Sequence, residues 1–501
     1  MRHLLEWVYP LPTSTYTGPN PARSAGFVTG AVLYRKLALF AVRPRAAPNS
    51  SCIPMLAKTR LLERLDALSP NTPSGFLRLR EAADSTSFLG WLKGQTQWPR
   101  LYWHARERDR EFATLGCLRE LDSMAGLASL GGQPRPAAGS WPRYYGGLAF
   151  DLHYPGTGAD HWRPFGRCRF ILPRIELIRQ DHLVELVVNL WLPEDPAGRR
   201  AEIAAARAAL QQVQTEQPLQ ALQPLHASRQ DIPHQADWQA LVTRFTDPAH
   251  LAVQPKIVLA RESCLHTATP PSPWDLLAAL QPVSRNCFHF AFEFTPGHCL
   301  VACSPERLYR RAGQTLNSEA LAGTILRTGD DAADEQLAAQ LLADNKNRLE
   351  NRLVHADILQ RLEGLAETAL LSPPRILRLR RLQHLRRDID AGLKAGVSDA
   401  DLLAALHPTP AVGGSPRRKA LALLREHEGF DRGWYAGACG LISEDVAEFA
   451  VAIRCALLTP DAVRLYAGAG IVDGSQPAAE WQELDDKLAT LLSVLEPEPD
   501  A

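Results

Sequence analysis

The segment CFHFAFEFTPGHCLVACS, residues 287–304, constrains the fold more than any other part of this 501-residue chain. Phenylalanines occupy every second position from Phe288 to Phe294, and a period of two is that of a β-strand with one aromatic face. TPGH then provides turn residues before a second short apolar run. The segment therefore predicts an antiparallel β-hairpin.

Other segments mix strands with long helices. Strands are predicted within residues 87–130 and 143–193, over KIVLARESCL, and over YAGACGLI, EFAVAIRCALL and VRLYAGAGIV. One helix is predicted from residue 201 with no breaker before Pro218, and a second over residues 334–365, with Leu349, Leu353 and Ala356 as its buried stripe. A last helix is expected from about Pro477, and the first 80 residues are expected to form strands and loops. Hairpins with long helices predict an α+β fold rather than a doubly wound parallel sheet.

The composition indicates which partners, which cellular location and which cysteine chemistry to expect. The 55 basic and 55 acidic residues balance, so neither nucleic acid nor an acidic membrane surface is expected as the main partner. No apolar stretch approaches 18 residues, and the N-terminus lacks the features of a signal or transit peptide. We therefore expect a cytoplasmic protein. The nine cysteines include no CxxC pair, which indicates reduced thiols rather than a disulfide framework or a zinc site.

Lysine is rare in this chain. Only 8 of the 55 basic residues are lysines, so 55 − 8 = 47 are arginines, which cannot act as bases. Lys256 opens the apolar strand QPKIVLAR. A lysine with an ordinary pKa of about 10.4 becomes a base near neutral pH only if burial or a cationic neighbour lowers that value. The alternative is a strand-end lysine whose ammonium group reaches solvent.

Three glutamates on two helices could hold a metal ion. Glu480 and Glu483 share one stripe of the last helix with Lys487, and Glu350 lies beside the apolar stripe of the long helix. Inward carboxylates from separate helices would form an oxygen site that favours Mg²⁺. A solvated helix face, and a surface Glu350 flanked by arginines, are the alternatives.

Four other residues are candidates for binding or acid–base chemistry. Gly468 and Gly470 in AGAGIV would let backbone N–H groups approach an anion, although a glycine pair can also simply end a strand. Glu306 in CSPERL could be an acid or a helix-start carboxylate, and His384 could be a core histidine. The sequence has no GxSxG, P-loop, HExxH or dinucleotide-binding motif.

Taken together, these segments resemble the chorismate-utilising enzymes, and within them the isochorismate synthases of the menaquinone type. The matching motifs are PKIVLAR, ACSPERL, EALAGT, NKNRLEN, LQHLRR, HPTPAVGGSP, WYAGACG, AIR and LYAGAGIVDGSQPAAEWQELDDK, in that order. The resemblance covers about residues 237–495 and extends upstream to about Ser87. It implies a catalytic region at 237–495, an N-terminal half of the synthase fold at 86–236 and an extension of unknown role at 1–85. The implied fold is two antiparallel sheets packed as a sandwich with helices outside.

The resemblance also implies a reaction and a role for each candidate residue. Lys256 would be the general base that activates water to attack C2 of chorismate, and Glu306 the general acid that protonates the departing C4 hydroxyl group. The residues implied for ligands are Glu350 and Glu483 for Mg²⁺ with Glu480 close by, Thr324, Gly468 and Lys487 for the ring carboxylate, Arg454 and Tyr435 for the enolpyruvyl carboxylate, and His384 beside the ring. No redox cofactor is implied.

The motifs favour a subgroup but leave alternatives open. Relatives that use ammonia have a non-basic residue at the position of Lys256, whereas this sequence has the water-type pattern, and Asn351 after the metal glutamate fits the menaquinone-type subgroup. A siderophore-pathway or salicylate-pathway synthase, or a salicylate-forming lyase, is the first alternative, and Ala411 and Val412 bear on that choice. A non-catalytic dicarboxylate-binding relative is the second, although it would have little reason to retain both a base and an acid. We expect a monomer or a weak homodimer.

Overall fold

The computed structural model describes residues 53–69, 72–83, 87–131, 141–154 and 160–496. The first eleven strands are β1 (Gly75–Ala82), β2 (Arg100–His104), β3 (Arg110–Leu115), β4 (Arg119–Leu121), β5 (Tyr144–Leu148), β6 (Cys168–Leu172), β7 (Ile175–Gln180), β8 (Leu183–Leu192), β9 (Ser228–Ile232), β10 (Lys256–His266) and β11 (Phe288–Thr295). The remaining strands are β12 (His298–Ser304), β13 (Arg307–Ala312), β14 (Thr315–Leu326), β15 (Ala366–Leu371), β16 (Arg375–Arg378), β17 (Leu382–Leu393), β18 (Gly414–Ser415), β19 (Ala438–Ile442), β20 (Val446–Val451), β21 (Cys455–Thr459) and β22 (Ala462–Ile471). The α-helices are α1 (Ile53–Asp66), α2 (Phe88–Gly94), α3 (Met124–Ala128), α4 (Pro196–Gln211), α5 (Gln235–Phe245), α6 (Pro248–Leu251), α7 (Pro273–Leu280), α8 (Asp331–Ala343), α9 (Asn345–Leu362), α10 (Asp399–Leu406), α11 (Arg417–His427) and α12 (Pro477–Leu495).

Among the described residues the strands form two antiparallel sheets. Sheet 1 has 12 strands in the order β1-β8-β7-β3-β2-β11-β12-β21-β22-β10-β18, with β9 paired to β10. Sheet 2 has 10 strands in the order β15-β17-β14-β13-β20-β19-β5-β6-β4, with β16 paired to β17. The two sheets face each other, because the rings of Phe112 on β3 and Tyr145 on β5 lie 5.7 Å apart, and Arg110 on β3 pairs with Glu448 on β20 at 2.9 Å. The predicted α+β fold with two antiparallel sheets is confirmed.

The phenylalanine hairpin lies in the middle of sheet 1. Strand β11 pairs with β12 on one side and with β2 on the other. The four phenylalanines are buried, as the alternation predicts, but the opposite face of β11 is buried too. His289 is fully buried there, and Glu293 is held by Arg100 at 2.6 Å. A central strand covered on both faces explains why its polar positions are not solvated.

The chain crosses between the sheets at two short segments. Pro305 and Glu306 join β12 of sheet 1 to β13 of sheet 2, and residues 452–454 join β20 of sheet 2 back to β21 of sheet 1. EFAVAIRCALL is therefore two strands in different sheets and not the single strand predicted. Arg454 takes a left-handed backbone conformation at this crossing, with φ of 51°. Glu306 and Arg454 thus lie where the two sheets exchange the chain.

The predicted long helix over residues 334–365 is two helices. Asp344 separates α8 from α9, and its side chain accepts a hydrogen bond from the N–H of Asn347 at 2.8 Å, which caps α9. The predicted stripe is also wrong, because Ala356 is exposed and Leu349 and Leu353 are only half-buried. The buried face of α9 instead consists of Asn351, Val354, Ile358 and Leu362. An aspartate at this position favours a new N-cap over helix continuation.

Two other helix predictions need correction. Helix α4 ends at Gln211, before the predicted limit at Pro218, because the following backbone bonds to other segments: the N–H of Gln217 donates to Gly90 O at 2.9 Å. Residues 53–66 form α1 rather than a strand, while the prediction for residues 1–52 lies outside the described residues. The last helix begins at Pro477 as predicted. In the described part of the chain, no helix combines the length and hydropathy needed to span a membrane.

Candidate active site

A cavity of about 70 Å³ lies between the two sheets, at the crossings that carry Glu306 and Arg454. Its walls come from β10 and β22 of sheet 1, β14 and β17 of sheet 2, helices α9 and α12, and the loop after α10. Ten of the twelve predicted site residues line it: Glu306, Thr324, Glu350, His384, Tyr435, Arg454, Gly468, Gly470, Glu483 and Lys487. Segments that are far apart in sequence therefore converge on one site. The other two, Lys256 and Glu480, lie immediately behind the wall, bonded to neighbouring side chains.

Lys256 is fully buried at the start of β10. Its Nζ donates a hydrogen bond to Glu350 Oε1 at 3.0 Å. Gly470, on the paired strand β22, leaves room for this contact, because a Cβ atom there would lie 2.6 Å from Glu350 Oε1 and 3.3 Å from Lys256 Cε. The amine is therefore directed into the cavity wall and not to solvent, which excludes the outward-reaching alternative.

Each of the three predicted metal ligands has a lysine partner. Besides the Lys256–Glu350 pair, Lys487 Nζ lies 2.6 Å from Glu483 Oε1 and Lys346 Nζ lies 2.7 Å from Glu480 Oε1. Three of the eight lysines of the chain are thus at this site. Arg454 adds a further positively charged side chain to the cavity wall.

The two α12 carboxyls differ in their electrostatics. Burial and the charge of Glu483 raise the pKa of Glu480, although Lys346 opposes this. Burial also disfavours the charged form of Glu483, but Lys487, Lys346 and Arg454 outweigh it and hold its pKa below the usual value. Glu483 therefore keeps its negative charge to a lower pH than Glu480 does.

The chemistry of these carboxyls fits a divalent cation such as Mg²⁺. The second oxygen of Glu480, Oε2, is buried and has no hydrogen-bond partner among the described residues. A buried carboxylate oxygen without a donor is costly unless another ligand, such as a metal ion, satisfies it. Glu350, from α9, and Glu483, from α12, carry further carboxylate oxygens, the ligand type that Mg²⁺ prefers. In the part of the chain that the structure describes, however, no three His, Cys, Asp or Glu side chains already form a cluster that could hold a metal ion.

Glu306 is buried, and its surroundings favour the protonated form of its carboxyl group. Burial, followed by the nearby charge of Glu319, raises its pKa to about 8, while Lys256, Lys487 and a hydrogen bond with Thr409 act in the opposite direction. At neutral pH the carboxyl group is therefore mostly protonated and can donate a proton. Its backbone is fixed, because the N–H of Val451 donates to Glu306 O at 3.0 Å.

Cationic and hydrogen-bonding groups line the side of the cavity next to α12. Arg454 Nη1 donates to the backbone oxygen of Lys487 at 2.8 Å, and Lys487 Nζ donates to Gly468 O at 2.7 Å. The Tyr435 ring stacks on Tyr466 with centroids 5.1 Å apart. Gly468 is needed at this point, since a Cβ atom there would lie 2.8 Å from the Tyr435 hydroxyl oxygen. This wall is suited to anionic groups of a ligand.

His384 and Thr324 form a pair on sheet 2. Thr324 Oγ1 and His384 Nδ1 are 2.9 Å apart on the paired strands β14 and β17. Burial, then Arg454 and Lys487, lower the pKa of His384 well below its ordinary value, so the ring is neutral. His384 Nε2 is buried and has no hydrogen-bond partner in the described structure. This nitrogen remains free for a ligand in the cavity.

Sequence reasoning missed several residues at the site. Lys346 lies one turn before Glu350 on α9, and this i, i+4 spacing is a signal that could have identified it. Asn347 Oδ1 accepts from the N–H of Thr324 at 3.0 Å, and Tyr466 lines the cavity. Asn351 faces away from it, and its Nδ2 donates to the backbone oxygens of Ala320, Ala322 and Leu385.

Comparisons with known proteins identify the family of this chain. The family model described as "Chorismate binding enzyme" matches residues 65–496. The isochorismate synthase MenF of Escherichia coli (strain K12) is 35% identical over 446 residues, which cover 88% of this chain and 99% of that protein. The salicylate biosynthesis isochorismate synthase of Pseudomonas aeruginosa is 34% identical over 473 residues, covering 90% and 96% of the two chains.

Two solved structures are similar in fold to this chain. The structure of the menaquinone-specific isochorismate synthase MenF from Escherichia coli superimposes with a TM-score of 0.79 at 34% identity, covering 88% of this chain and 99% of that one. Anthranilate synthase component I from Streptococcus pneumoniae shares the fold, with a TM-score of 0.60 at 17% identity, covering 87% of this chain and 97% of that one. With the family match and these relatives spanning most of its length, the chain belongs to the chorismate-binding enzyme family, as its motifs predict.

Proposed function

We propose that this chain is an isochorismate synthase that converts chorismate to isochorismate, in the service of menaquinone synthesis. The observation that carries the proposal is a buried amine, Lys256, and a carboxyl group with a pKa near 8, Glu306, at one cavity. Replacing a hydroxyl group at C4 by one at C2 requires a base and an acid together. The chain also spans nearly the whole length of relatives named isochorismate synthases.

Lys256 acts as the general base. It removes a proton from the water molecule whose oxygen forms the new bond to C2 of the ring. Glu306 acts as the general acid and delivers its proton to the C4 hydroxyl group, which leaves as water. The proton gained by the lysine and the proton lost by the glutamic acid balance over one turnover. Such a positioned pair accelerates a reaction by about 10²–10⁴-fold for each proton transfer.

Glu350 and Glu483 would hold Mg²⁺, with Glu480 beside them. The bound ion would supply positive charge for the ring carboxylate of the substrate. Thr324, the Gly468 and Gly470 backbone and Lys487 bind and orient the same carboxylate. This proposal is supported by the fact that these residues, on β14, β22 and α12, all line one cavity.

Arg454 and Tyr435 bind the enolpyruvyl carboxylate, and His384 contacts the ring. Chorismate is a dianion, so the positive charge of Arg454 assists binding. The neutral His384 ring can contact the substrate without adding a further charge.

A salicylate-pathway or siderophore-pathway role is the second candidate. It is favoured by the 34% identity to the salicylate biosynthesis isochorismate synthase of Pseudomonas aeruginosa. Ala411 and Val412 line the cavity, where they would influence whether pyruvate is subsequently eliminated.

The test is to incubate purified protein with chorismate and Mg²⁺ and to separate the products by chromatography, with an EDTA control. Metal-dependent isochorismate without pyruvate is expected. Salicylate with pyruvate would move the protein to the lyase group. No product from chorismate would contradict both and favour a non-catalytic dicarboxylate-binding protein.

A further inference from the structure

Glu319 is a fully buried carboxylate outside the cavity wall, on β14 next to the crossing that carries Glu306. Arg106 donates to both of its oxygens, with Nη1 to Oε1 at 2.7 Å and Nη2 to Oε2 at 2.9 Å. Arg386 Nη2 lies 2.9 Å from Oε2. A carboxylate with this many donors is held in one orientation.

The same ion pair holds the peptide groups on both sides of Glu306. Arg106 Nη1 also donates to Pro305 O at 2.7 Å, and the N–H of Arg307 donates to Glu319 Oε1 at 2.6 Å. Arg106 follows β2 of sheet 1, whereas Glu319 lies on β14 of sheet 2. The pair therefore joins the two sheets at the point where the chain crosses between them.

We propose that the Arg106–Glu319 ion pair is the positioning unit of the general acid, holding the Pro305–Arg307 turn so that the Glu306 carboxyl group points into the cavity. The inference rests on the proposed function, in which Glu306 is the acid. Neither residue lines the cavity, so both act through Glu306 and not on the substrate. A loss of this support displaces the acid relative to C4, and small displacements of a catalytic group reduce turnover strongly.

The charge of Glu319 has a second effect on Glu306. The groups that act on the Glu306 proton are Glu319, which favours its retention, and Lys256 and Lys487, which favour its loss. Glu350, Glu483, Arg454 and the neutral His384 face the same cavity. When the charge of Glu319 is removed, its effect on the pKa of Glu306 is lost while the opposite effect of the two lysines remains. The pKa of Glu306 therefore falls.

The experiment compares kcat, KM and the pH profile for Arg106→Lys and Glu319→Gln in the full-length protein, with chorismate and Mg²⁺. We expect kcat to fall about 10- to 100-fold in both variants, with KM within about twofold of wild type. Because turnover needs protonated Glu306, activity is lost as pH rises through its pKa. In Glu319→Gln this alkaline limb moves to lower pH, whereas in Arg106→Lys, which retains both charges, it moves less.

The matched controls are Arg311→Lys and Asp399→Asn. Arg311 and Asp399 form a buried bidentate pair between β13 and α10, with contacts of 2.9 and 2.6 Å, away from the cavity. Arg311→Lys removes the bidentate geometry of this pair and Asp399→Asn removes its negative charge, and we expect wild-type pH profiles from both variants. A purely structural role for Arg106 and Glu319 would make all four variants behave alike.

Glu306→Gln separates failure of this inference from failure of the assignment on which it rests. If Glu306→Gln turns over chorismate at the wild-type rate, Glu306 is not the acid and the mechanism is wrong. If Glu306→Gln is inactive while Arg106→Lys and Glu319→Gln match wild type in kcat and pH profile, the positioning inference alone is overturned. Should Glu319→Gln not fold, the kcat of Arg106→Lys against Arg311→Lys decides the question.

Discussion

The proposed acid–base roles at this cavity belong to single side chains, and substitution of Lys256 tests them most directly. Its amine is fully buried and donates a hydrogen bond to Glu350. Lys256→Ala is expected to lower kcat by about 10²–10⁴-fold with little change in the Kd for chorismate, because the base acts on water. Steady-state turnover and equilibrium binding measure the two effects.

Lys419→Ala is the matched control, since Lys419 is exposed on α11 and away from the cavity. It should retain both turnover and binding. Turnover near the wild-type level in Lys256→Ala would remove the base assignment.

The metal assignment is tested at Glu483. Glu483→Gln keeps the size of the side chain but removes the negative charge that Lys487, Lys346 and Arg454 maintain. We expect the affinity for Mg²⁺, measured by calorimetry without substrate, to fall about tenfold or more. Glu367→Gln, at an exposed position on β15, serves as control. An unchanged Mg²⁺ affinity in Glu483→Gln would contradict the ligand role.

At the scale of elements, the break between α8 and α9 is the feature with a consequence for the site. Helix α9 starts at Asn345 and carries Lys346, Asn347 and Glu350 into the cavity region. A continuous helix would place these residues differently, because each residue of an α-helix is rotated by about 100° from the one before it. The Asp344 cap therefore contributes to the position of Glu350, the proposed metal ligand on α9.

Asp344→Ala and Asp330→Ala form a matched pair that tests this point. Asp330 caps α8 with a 2.8 Å bond to the N–H of Ala333, but α8 contributes nothing to the cavity wall. Each substitution is expected to lower the free energy of unfolding by about 1 kcal/mol, measured with urea. Only Asp344→Ala should also lower the affinity for Mg²⁺. Equal Mg²⁺ affinities in the two variants would show that the cap has no influence on the site.

At the scale of the whole molecule, aromatic packing joins the parts that enclose the cavity. Phe292 on β11 is fully buried, with ring centroids 5.5 Å from Phe290 and 6.3 Å from Trp434, which precedes β19 of sheet 2. Phe292→Ala is expected to lower the free energy of unfolding by about 3–5 kcal/mol, because it leaves a cavity in the core. Denaturant unfolding measures this, and Leu183→Ala, at an exposed position, is the control. A loss below about 1 kcal/mol would contradict the core role.

The sequence alone was sufficient for the family, the two-sheet α+β fold and the hairpin at residues 288–304. These features depend on side-chain alternation, turn residues and ordered motifs, which are local properties of the chain. In the structure, ten of the twelve candidate residues chosen from the sequence line one cavity. Their chemical roles remain proposals.

Only the tertiary structure determined which distant residues meet. Arg106 and Glu319 are 213 positions apart, and no spacing rule connects them. The division of EFAVAIRCALL between two sheets depends on where the strands find partners, and the Lys–Glu pairs depend on the approach of α9, α12 and β10. Local periodicity reports the neighbours of a residue within one element, whereas burial, ion pairing and pKa values depend on the packing of many elements.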